Sequence, residues 1–142
     1  EWLLLSRYYE ERLHRTPHLV TELVLPRLPD RTAAAFLRFA RTSFDFPMLN
    51  VCCRATRDGP MVTDVRIVFG ATPLLAQRAV GAESWIQEHG MGPPAIETAA
   101  RHAREEIETR AGWVASAEYR THLVEVLTVR SLTEVARRLE IS

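Results

Sequence analysis

The stretch MLNVCCRATRDGPMVTDVRIVFG, residues 48–70, contains two apolar-alternating runs with an Asp-Gly pair between them. Val65, Ile67 and Phe69 are two residues apart in the second run, so they would share one face of a strand. An Asp-Gly pair between two such runs is typical of a tight hairpin, because glycine readily adopts the positive φ that the turn requires. The stretch therefore predicts two antiparallel strands.

Two further alternating runs precede this hairpin, and both predict strands. The run HLVTELVLP, residues 18–26, ends at a proline, which cannot donate a hydrogen bond to a sheet ladder. The run AAAFLRFAR, residues 33–41, alternates Phe36 and Arg38 with Leu37 and Phe39. The first half of the chain, about residues 18–70, is thus expected to form an antiparallel sheet of three to four strands.

The second half, about residues 75–140, changes to helical spacing. Three helices are predicted within residues 72–90, 92–110 and 116–139, with Gly90 ending the first and Ser116 capping the third. Their apolar seams are Leu75, Ala79, Ala82 and Ile86; Ile96, Ala100, Ala103 and Ile107; and Tyr119, Leu123, Val126, Leu127, Leu132, Val135 and Leu139. Strands followed by helices predict one α+β domain over residues 1–142, a two-layer sandwich with three helices on one face of the sheet.

Composition excludes several classes of function. The 142 residues contain 18 basic and 18 acidic side chains, so no net charge draws the chain to nucleic acid or to an anionic membrane. No apolar run approaches the roughly 20 residues that span a bilayer, and the expected location is the cytoplasm. All 18 basic residues are arginine, which excludes Schiff-base catalysis and a P-loop lysine.

The chain carries no known catalytic motif. It lacks a GxGxxG loop, a Walker loop and a GxSxG elbow, and its five histidines show no metal-binding spacing. Cys52 and Cys53 are adjacent and would point to opposite faces of a strand, so they are interpreted as small buried apolar residues. Glu105 and Glu106 are interpreted as solvated helix charges. No catalytic residue and no metal ligand is predicted.

Three stretches together carry a family resemblance. They are HLVTELVLP with AFLRFARTSFDFPMLNVCCRAT, then DGPMVTDVRIVFGATPLLAQRAVGAESWI, then SAEYRTHLVEVLTVRSL. In this order, over about residues 8–139, they resemble the C-terminal domain of the FAD-binding subunit of molybdenum hydroxylases. This is the group of carbon monoxide dehydrogenase, xanthine dehydrogenase and aldehyde oxidase.

The resemblance implies a fold and a place in a larger enzyme. It implies three or four strands followed by three helices, and a fragment of a longer flavoprotein subunit. In such a subunit two preceding domains would bind most of the FAD, and partner subunits would carry molybdopterin and iron–sulfur clusters. This chain would then close one side of the flavin site and dock on its partners, without catalysis or tight FAD binding of its own.

The resemblance also implies roles for individual residues. Counting from Pro26, Arg38 matches a flavin-adjacent lysine of the xanthine dehydrogenase branch, and Val20 matches an aliphatic residue that borders the flavin. A positive charge at Arg38 would stabilise an anionic flavin, although a guanidinium is bulkier than an ammonium. Gly70 would let the chain leave the sheet, and Pro73 would direct it into the first helix.

Alternatives to these roles remain open. Arg38 could instead pair with Asp30 or Asp45, and Arg120 and Arg130 could be salt-bridged helix residues without a ligand; Tyr119 is interpreted as a core residue. The whole chain could be a free-standing protein–protein interaction domain, or a homo-oligomer. The last twelve residues, SLTEVARRLEIS, also resemble the first helix of a DNA-binding helix-turn-helix.

Overall fold

The computed structural model describes residues 2–11, 15–72 and 75–141. A short helix precedes a sheet, and three longer helices follow. The elements in chain order are α1 (Leu5–Glu10), β1 (Thr32–Phe39), β2 (Leu49–Asp58), β3 (Met61–Gly70), β4 (Gln77–Arg78), α2 (Val80–His89), α3 (Pro93–Glu106) and α4 (Ala117–Arg138). The predicted α+β class is confirmed.

The sheet is an antiparallel meander with strand order β1-β2-β3-β4. Strands β2 and β3 pair from Asn50 opposite Gly70 to Asp58 opposite Met61. Gly59 lies in the turn between them with φ 58°, in the left-handed region that the Asp-Gly pair predicted. The central hairpin and the strand from the 33–41 run are therefore confirmed.

The predicted strand at residues 18–26 is wrong for this domain. The segment is not part of the sheet, and its apolar side chains face solvent, with Leu19 83% and Leu25 89% exposed. Alternation alone does not make a strand, because a strand also needs a neighbouring backbone for its hydrogen bonds. The fourth strand of the sheet is instead the two-residue β4, whose Gln77 and Arg78 pair with Phe69 and Val68.

The first long helix begins later than predicted. Residues 77–78 belong to β4, so α2 starts at Val80 and ends before Gly90 as expected. Leu75, predicted in the helical seam, is 47% exposed, whereas Ala82 and Ile86 are fully buried. Pro73, predicted to direct the chain into the helix, lies outside the described residues.

Two carboxylates fix the start of α2. Ala79 at its N-cap provides no side-chain cap, and the Glu106 carboxylate accepts hydrogen bonds of 2.9 Å from the backbone N–H groups of Gly81 and Ala82. Buried Glu83 accepts a hydrogen bond from the backbone N–H of Ile67 at 2.9 Å. Glu106 is therefore a capping residue, not the merely solvated charge that the sequence suggested.

The helices α3 and α4 agree closely with the helices predicted from the sequence. Pro93 occupies the first turn of α3, and the Ser116 hydroxyl accepts a hydrogen bond from the backbone N–H of Tyr119 at 3.1 Å, as an N-cap does. The predicted α3 seam is buried; most of the predicted α4 face is also buried, although Tyr119 is 43% exposed and is not the core residue expected.

The helices form one layer against the sheet. Helix α4 packs on β1 and β2, α2 packs on β3, and α3 packs between α2 and α4. Their apolar faces and one face of the sheet form a single core, which confirms the two-layer sandwich. Among the described residues, every helix falls short of the length or the apolar character needed to cross a membrane.

Candidate functional site

The sheet buries one face beneath the helices and leaves the other partly exposed. Ala33, Ala35, Val51, Cys53 and Ile67 point into the core, so the alternate residues of the same strands point away from it. We call this second surface the open face; it consists of Thr32, Ala34, Phe36, Arg38, Asn50, Cys52, Arg54, Thr56, Arg66 and Val68.

The strand register arranges the open face in rows. Phe36 lies opposite Cys52, and Cys52 lies opposite Val68, which gives one apolar row across three strands. Phe36 is 61% exposed, so a large aromatic surface of this row contacts solvent. In the row nearest the sheet end, Arg38 lies opposite Asn50. The candidate residue Arg38 is therefore adjacent to an exposed apolar row.

Arg38 holds a positive charge that no aspartate neutralises among the described residues. Its guanidinium donates hydrogen bonds to the backbone carbonyls of Ser43, at 3.4 Å, and of Asp45. The Asp45 carboxylate lies 3.4 Å from Arg41 instead. Among the described residues, Arg38 therefore forms no ion pair with Asp30 or Asp45, the alternative that the sequence left open. The charge of Arg38 remains available to an external group.

Val20 does not join Arg38 on the sheet. It is 51% exposed and belongs to the segment 18–26, which forms no strand in the described chain. The domain on its own thus presents Arg38 on the open face and Val20 outside the sheet. The flavin-adjacent role of both residues stays a prediction.

A β-bulge places a second charged group on the open face. The register of β2 and β3 shifts between Arg54 and Thr56, and Asp64 adopts φ 47° there. The bulge directs the Asp64 carboxylate to two guanidinium groups, that of Arg54 at 2.5 Å and that of Arg66 at 3.2 Å. Two arginines share one carboxylate, which leaves this group with a net positive charge.

Gly70 lies against the side chain of Asn50, and its own φ is not in the left-handed region. A Cβ at Gly70 would meet Oδ1 of Asn50, the residue opposite it. The left-handed residue at this exit from the sheet is Ala71, with φ 61°. Gly70 therefore makes room for the Asn50 side chain, and the chain turns at the next residue.

Arg120 anchors the sheet end that carries Arg38. Its guanidinium donates hydrogen bonds to the carbonyls of Met48 and Ala71, which adjoin the ends of β2 and β3. Arg120 is only 5% exposed and forms no ion pair in the described ranges. The predicted salt bridge is thus replaced by bonds to backbone carbonyls; the sequence carried no signal for this long-range contact.

The described side chains offer neither an activated thiol nor a metal cluster. Burial raises the pKa of the Cys53 thiol to about 12. Partial burial of the thiol group also raises the pKa of Cys52, although that residue as a whole is exposed. A reactive thiolate needs the opposite shift. In residues 2–11, 15–72 and 75–141, no three His, Cys, Asp or Glu residues gather as metal ligands would.

Comparison with known families gives one match over most of the sheet and helices. The family model of the CO dehydrogenase flavoprotein C-terminal domain matches residues 34–135. The match begins within β1 and ends within α4, so it covers most of the sheet and most of the three long helices.

Two curated relatives are subunits of larger enzymes. The chain is 28% identical over 120 residues to the nicotine 6-hydroxylase medium subunit of Paenarthrobacter nicotinovorans, covering 84% of this chain and 42% of that subunit. It is 22% identical over 110 residues to a putative xanthine dehydrogenase FAD-binding subunit of Escherichia coli K12, covering 77% and 38%. The chain thus spans about two fifths of the length of these relatives.

Solved structures show the same fold. Carbon monoxide dehydrogenase from Hydrogenophaga pseudoflava matches with a TM-score of 0.75 and 22% identity, over 80% of this chain and 40% of that one. Quinoline 2-oxidoreductase from Pseudomonas putida 86 matches with a TM-score of 0.71 and 23% identity, over 78% and 39%.

Proposed function

The chain belongs to the CO dehydrogenase flavoprotein C-terminal domain family, and from this premise we propose that it closes one side of the flavin site in a molybdenum-hydroxylase-type oxidoreductase. It would be the C-terminal domain of the FAD-binding subunit. The lengths of its relatives support this proposal, because a chain of this size leaves about three fifths of such a subunit to other domains. Those domains would bind most of the FAD, and molybdopterin and iron–sulfur subunits would be partners.

The open face is the observation that carries the proposal. Its apolar row includes Phe36, 61% exposed, beside the charged side chain of Arg38. Sheets in stable domains usually bury such an aromatic surface against another layer. We assign that layer to the flavin-bearing domains of the same subunit, since the helices already cover the other face.

The charges of the open face favour a partner with negative groups. Arg54 and Arg66 share the single carboxylate of Asp64, and Arg38 bonds only to backbone carbonyls, so the described part of this surface carries an excess of positive charge. FAD bears a pyrophosphate and supplies the redox-active flavin ring when it is bound. Arg38 fits a contact with a negatively charged edge of such a group, because its guanidinium is fixed by two loop carbonyls.

The chain alone is expected to bind FAD weakly and to catalyse no reaction. A ligand site encloses most of its ligand, whereas the open face is one surface of a sheet. The described residues add no glycine-rich phosphate loop to that surface. The domain would therefore orient and shield the flavin rather than hold it.

Flavin titration tests whether the chain alone binds FAD. We expect the 142-residue chain to show no saturable FAD binding below about 100 μM, a free energy of association weaker than roughly 5.5 kcal/mol. Saturable micromolar binding would contradict the scaffold function. The complete subunit should purify with FAD, and its absence would overturn the assignment to a flavoprotein.

A substitution pair tests Arg38 in the complete subunit. Arg38→Ala should weaken FAD binding about tenfold, the effect of losing one charge-assisted contact. Arg41→Ala is the matched control, because Arg41 precedes the same aspartate but pairs with its carboxylate. Equal affinities of the two variants would remove Arg38 from the flavin site.

A further inference from the structure

A cleft lies at the end of the sheet that is opposite to Arg38. Its volume is about 590 Å³, and its lining includes Arg31, Arg57, Pro60, Arg138, Leu139 and Glu140. Arg31 directly precedes β1, whereas Arg38 is the last residue but one of that strand. At a rise of about 3.3 Å per residue, their backbones are roughly 23 Å apart. We call this cavity the arginine cleft; it is separate from the sheet end that carries Arg38.

Three separate segments of the chain bring the arginines of the cleft together. The register of β1 and β2 places Thr32 opposite Thr56, and the backbone N–H of Arg57 donates a hydrogen bond of 2.9 Å to the carbonyl of Arg31. Arg138 is the last residue of α4, which packs on both strands. The sheet register and the packing of α4 therefore fix the backbone positions of all three arginines.

Two of the three guanidinium groups are already oriented. Arg57 donates hydrogen bonds of 3.0 to 3.2 Å to three backbone carbonyls in the β2–β3 turn and after α4. It thereby satisfies carbonyls at the negative end of that helix, which would otherwise oppose an anion. Arg138 donates to the carboxylate of Glu134 at 2.8 Å and to the carbonyl of Ala34. Among the described residues, Nη2 of Arg57 and Nη2 of Arg138 have no acceptor, so both remain available to a ligand.

The guanidinium of Arg31 is not used by the fold. The side chain is exposed and forms neither a hydrogen bond nor an ion pair within the described ranges. The backbone of Arg31 has φ 56°, in the left-handed region that disfavours a residue with a Cβ. Glycine or asparagine would fit this turn with less strain, so the local backbone gives no reason for an arginine here.

Positive charge exceeds negative charge in the arginine cleft. The three arginines face a single lining carboxylate, that of Glu140. Glu134, the partner of Arg138, also pairs with Arg137, and Asp58 of the adjacent turn lies outside the lining. The described residues therefore leave the cleft with charge that an anion would neutralise.

We propose that the arginine cleft binds the phosphate group of a small organic molecule. Guanidinium groups match phosphate oxygens in charge and geometry, and they form stronger hydrogen bonds with them than with neutral acceptors. Pro60 and Leu139 add apolar surface for the organic part of the ligand. The volume of the cleft lies within the range of small-molecule sites, about 300–1,000 Å³. The proposal does not depend on the flavin function, because the two sites lie at opposite ends of the sheet.

Titration with adenosine monophosphate and with inorganic phosphate tests the site. The complete subunit is first saturated with FAD, so that the nucleotide cannot occupy the flavin site. We expect the backbone amides of Arg31, Gly59 and Glu140 to shift in NMR spectra, with a Kd for the nucleotide of about 1 mM or tighter. Inorganic phosphate should bind more weakly at the same amides. Tighter binding of inorganic phosphate would overturn the assignment to an organic ligand, and unshifted amides would overturn the site.

Two substitutions with opposite expected effects test the charges. Arg31→Asn removes the unused guanidinium, and asparagine tolerates the left-handed backbone; it should weaken nucleotide binding at least about fivefold and change Tm by less than about 2 °C. Glu140→Gln removes the opposing carboxylate and should strengthen binding about threefold. A merely structural role of these residues would not produce opposite signs.

Arg110→Asn is the matched control, because Arg110 precedes α4 and the cleft lies at the other end of that helix. Its affinity should stay within about 1.5-fold of that of the unsubstituted protein. Equal affinities of the Arg31 and Arg110 variants would overturn the proposal, as would weaker binding by the Glu140 variant. A peptide of glutamates that shifts the same amides at a lower concentration than the nucleotide would assign the cleft to an acidic protein segment and also overturn it.

Discussion

The guanidinium of Arg120 donates a hydrogen bond of 2.7 Å to the carbonyl of Ala71, so the first turn of α4 holds the chain where it leaves β3. The same nitrogen donates to the carbonyl of Met48, at the start of β2. The guanidinium is buried and its Nε has no hydrogen-bond partner among the described residues, so these two bonds are what compensates the burial of its charge. Two strand ends and one helix are thus joined by a single side chain.

Replacing Arg120 should release this sheet end. Arg120→Ala is expected to lower the free energy of unfolding by about 2–4 kcal/mol, because two carbonyls lose their donor and a buried volume is emptied. Urea unfolding followed by circular dichroism measures this. Arg130→Ala is the control on the same helix, where the side chain is exposed; its expected effect is below about 0.5 kcal/mol. Equal effects would show that Arg120 has no anchoring role.

Removing the Glu106 carboxylate should weaken the start of α2. Glu106→Ala is expected to lower the free energy of unfolding by about 1–2 kcal/mol, the usual effect of losing a helix cap. Glu105→Ala removes the neighbouring charge, which caps no helix in the described chain. This substitution should change the free energy of unfolding by less than about 0.5 kcal/mol. The same urea experiment compares them, and a Glu105 effect as large as that of Glu106 would refute the capping role.

Adding a methyl group at Gly70 should displace Asn50. A Cβ there would meet Oδ1 of Asn50, the end of a side chain that can rotate away, so Gly70→Ala is expected to lower stability by less than about 1 kcal/mol. In the double variant Gly70→Ala with Asn50→Ala the clash is absent, and the loss should be smaller than the sum of the single losses. Additive losses in a thermal-unfolding cycle would show that the two residues do not compete for space.

The carboxyl group of Glu134 should titrate far below its ordinary range. The hydrogen bonds of Arg137 and then of Arg138 hold its pKa at about 2, against an ordinary 4.5. As pH falls from about 4.5 to 2, the unfolded carboxyl takes up a proton before the folded one, so its contribution to stability is lost in that window. Carbon-13 NMR of Glu134 measures the pKa directly.

A single substitution checks the cause of that shift. Arg137→Gln should raise the pKa of Glu134 toward 4.5, whereas Arg101→Gln, which removes an arginine of α3, should leave it near 2. A Glu134 that titrates at its ordinary pKa in the unsubstituted protein would contradict the two hydrogen bonds of Arg137 and Arg138.

Local sequence signals predicted the centre of the fold. The strand β3, the Gly59 turn and the Ser116 cap follow from residues a few positions apart, because alternation, a turn glycine and an N-cap hydroxyl act over short distances. The resemblance to the flavoprotein domain was likewise supported by the family match. These features needed no knowledge of distant neighbours.

Contacts between distant residues were not predictable in the same way. The 18–26 run has the alternation of a strand, but no neighbouring strand pairs with it in the described chain. Arg120 reaches Ala71 across 49 positions, and Glu106 reaches Gly81 across 25. No sequence period encodes such pairs, since they depend on how α3 and α4 are placed on the sheet. The charge of Arg38 was predicted, but not its two carbonyl partners.

The meander order of the sheet has a consequence for how the chain acquires its structure. Each of β1, β2 and β3 pairs with the next strand along the polypeptide, so the sheet can assemble progressively during synthesis without waiting for remote segments. The core, however, closes only when α4, the last helix, packs on β1 and β2. Because contacts between distant parts of a chain slow folding, we expect the docking of α4, and not strand pairing, to set the refolding rate.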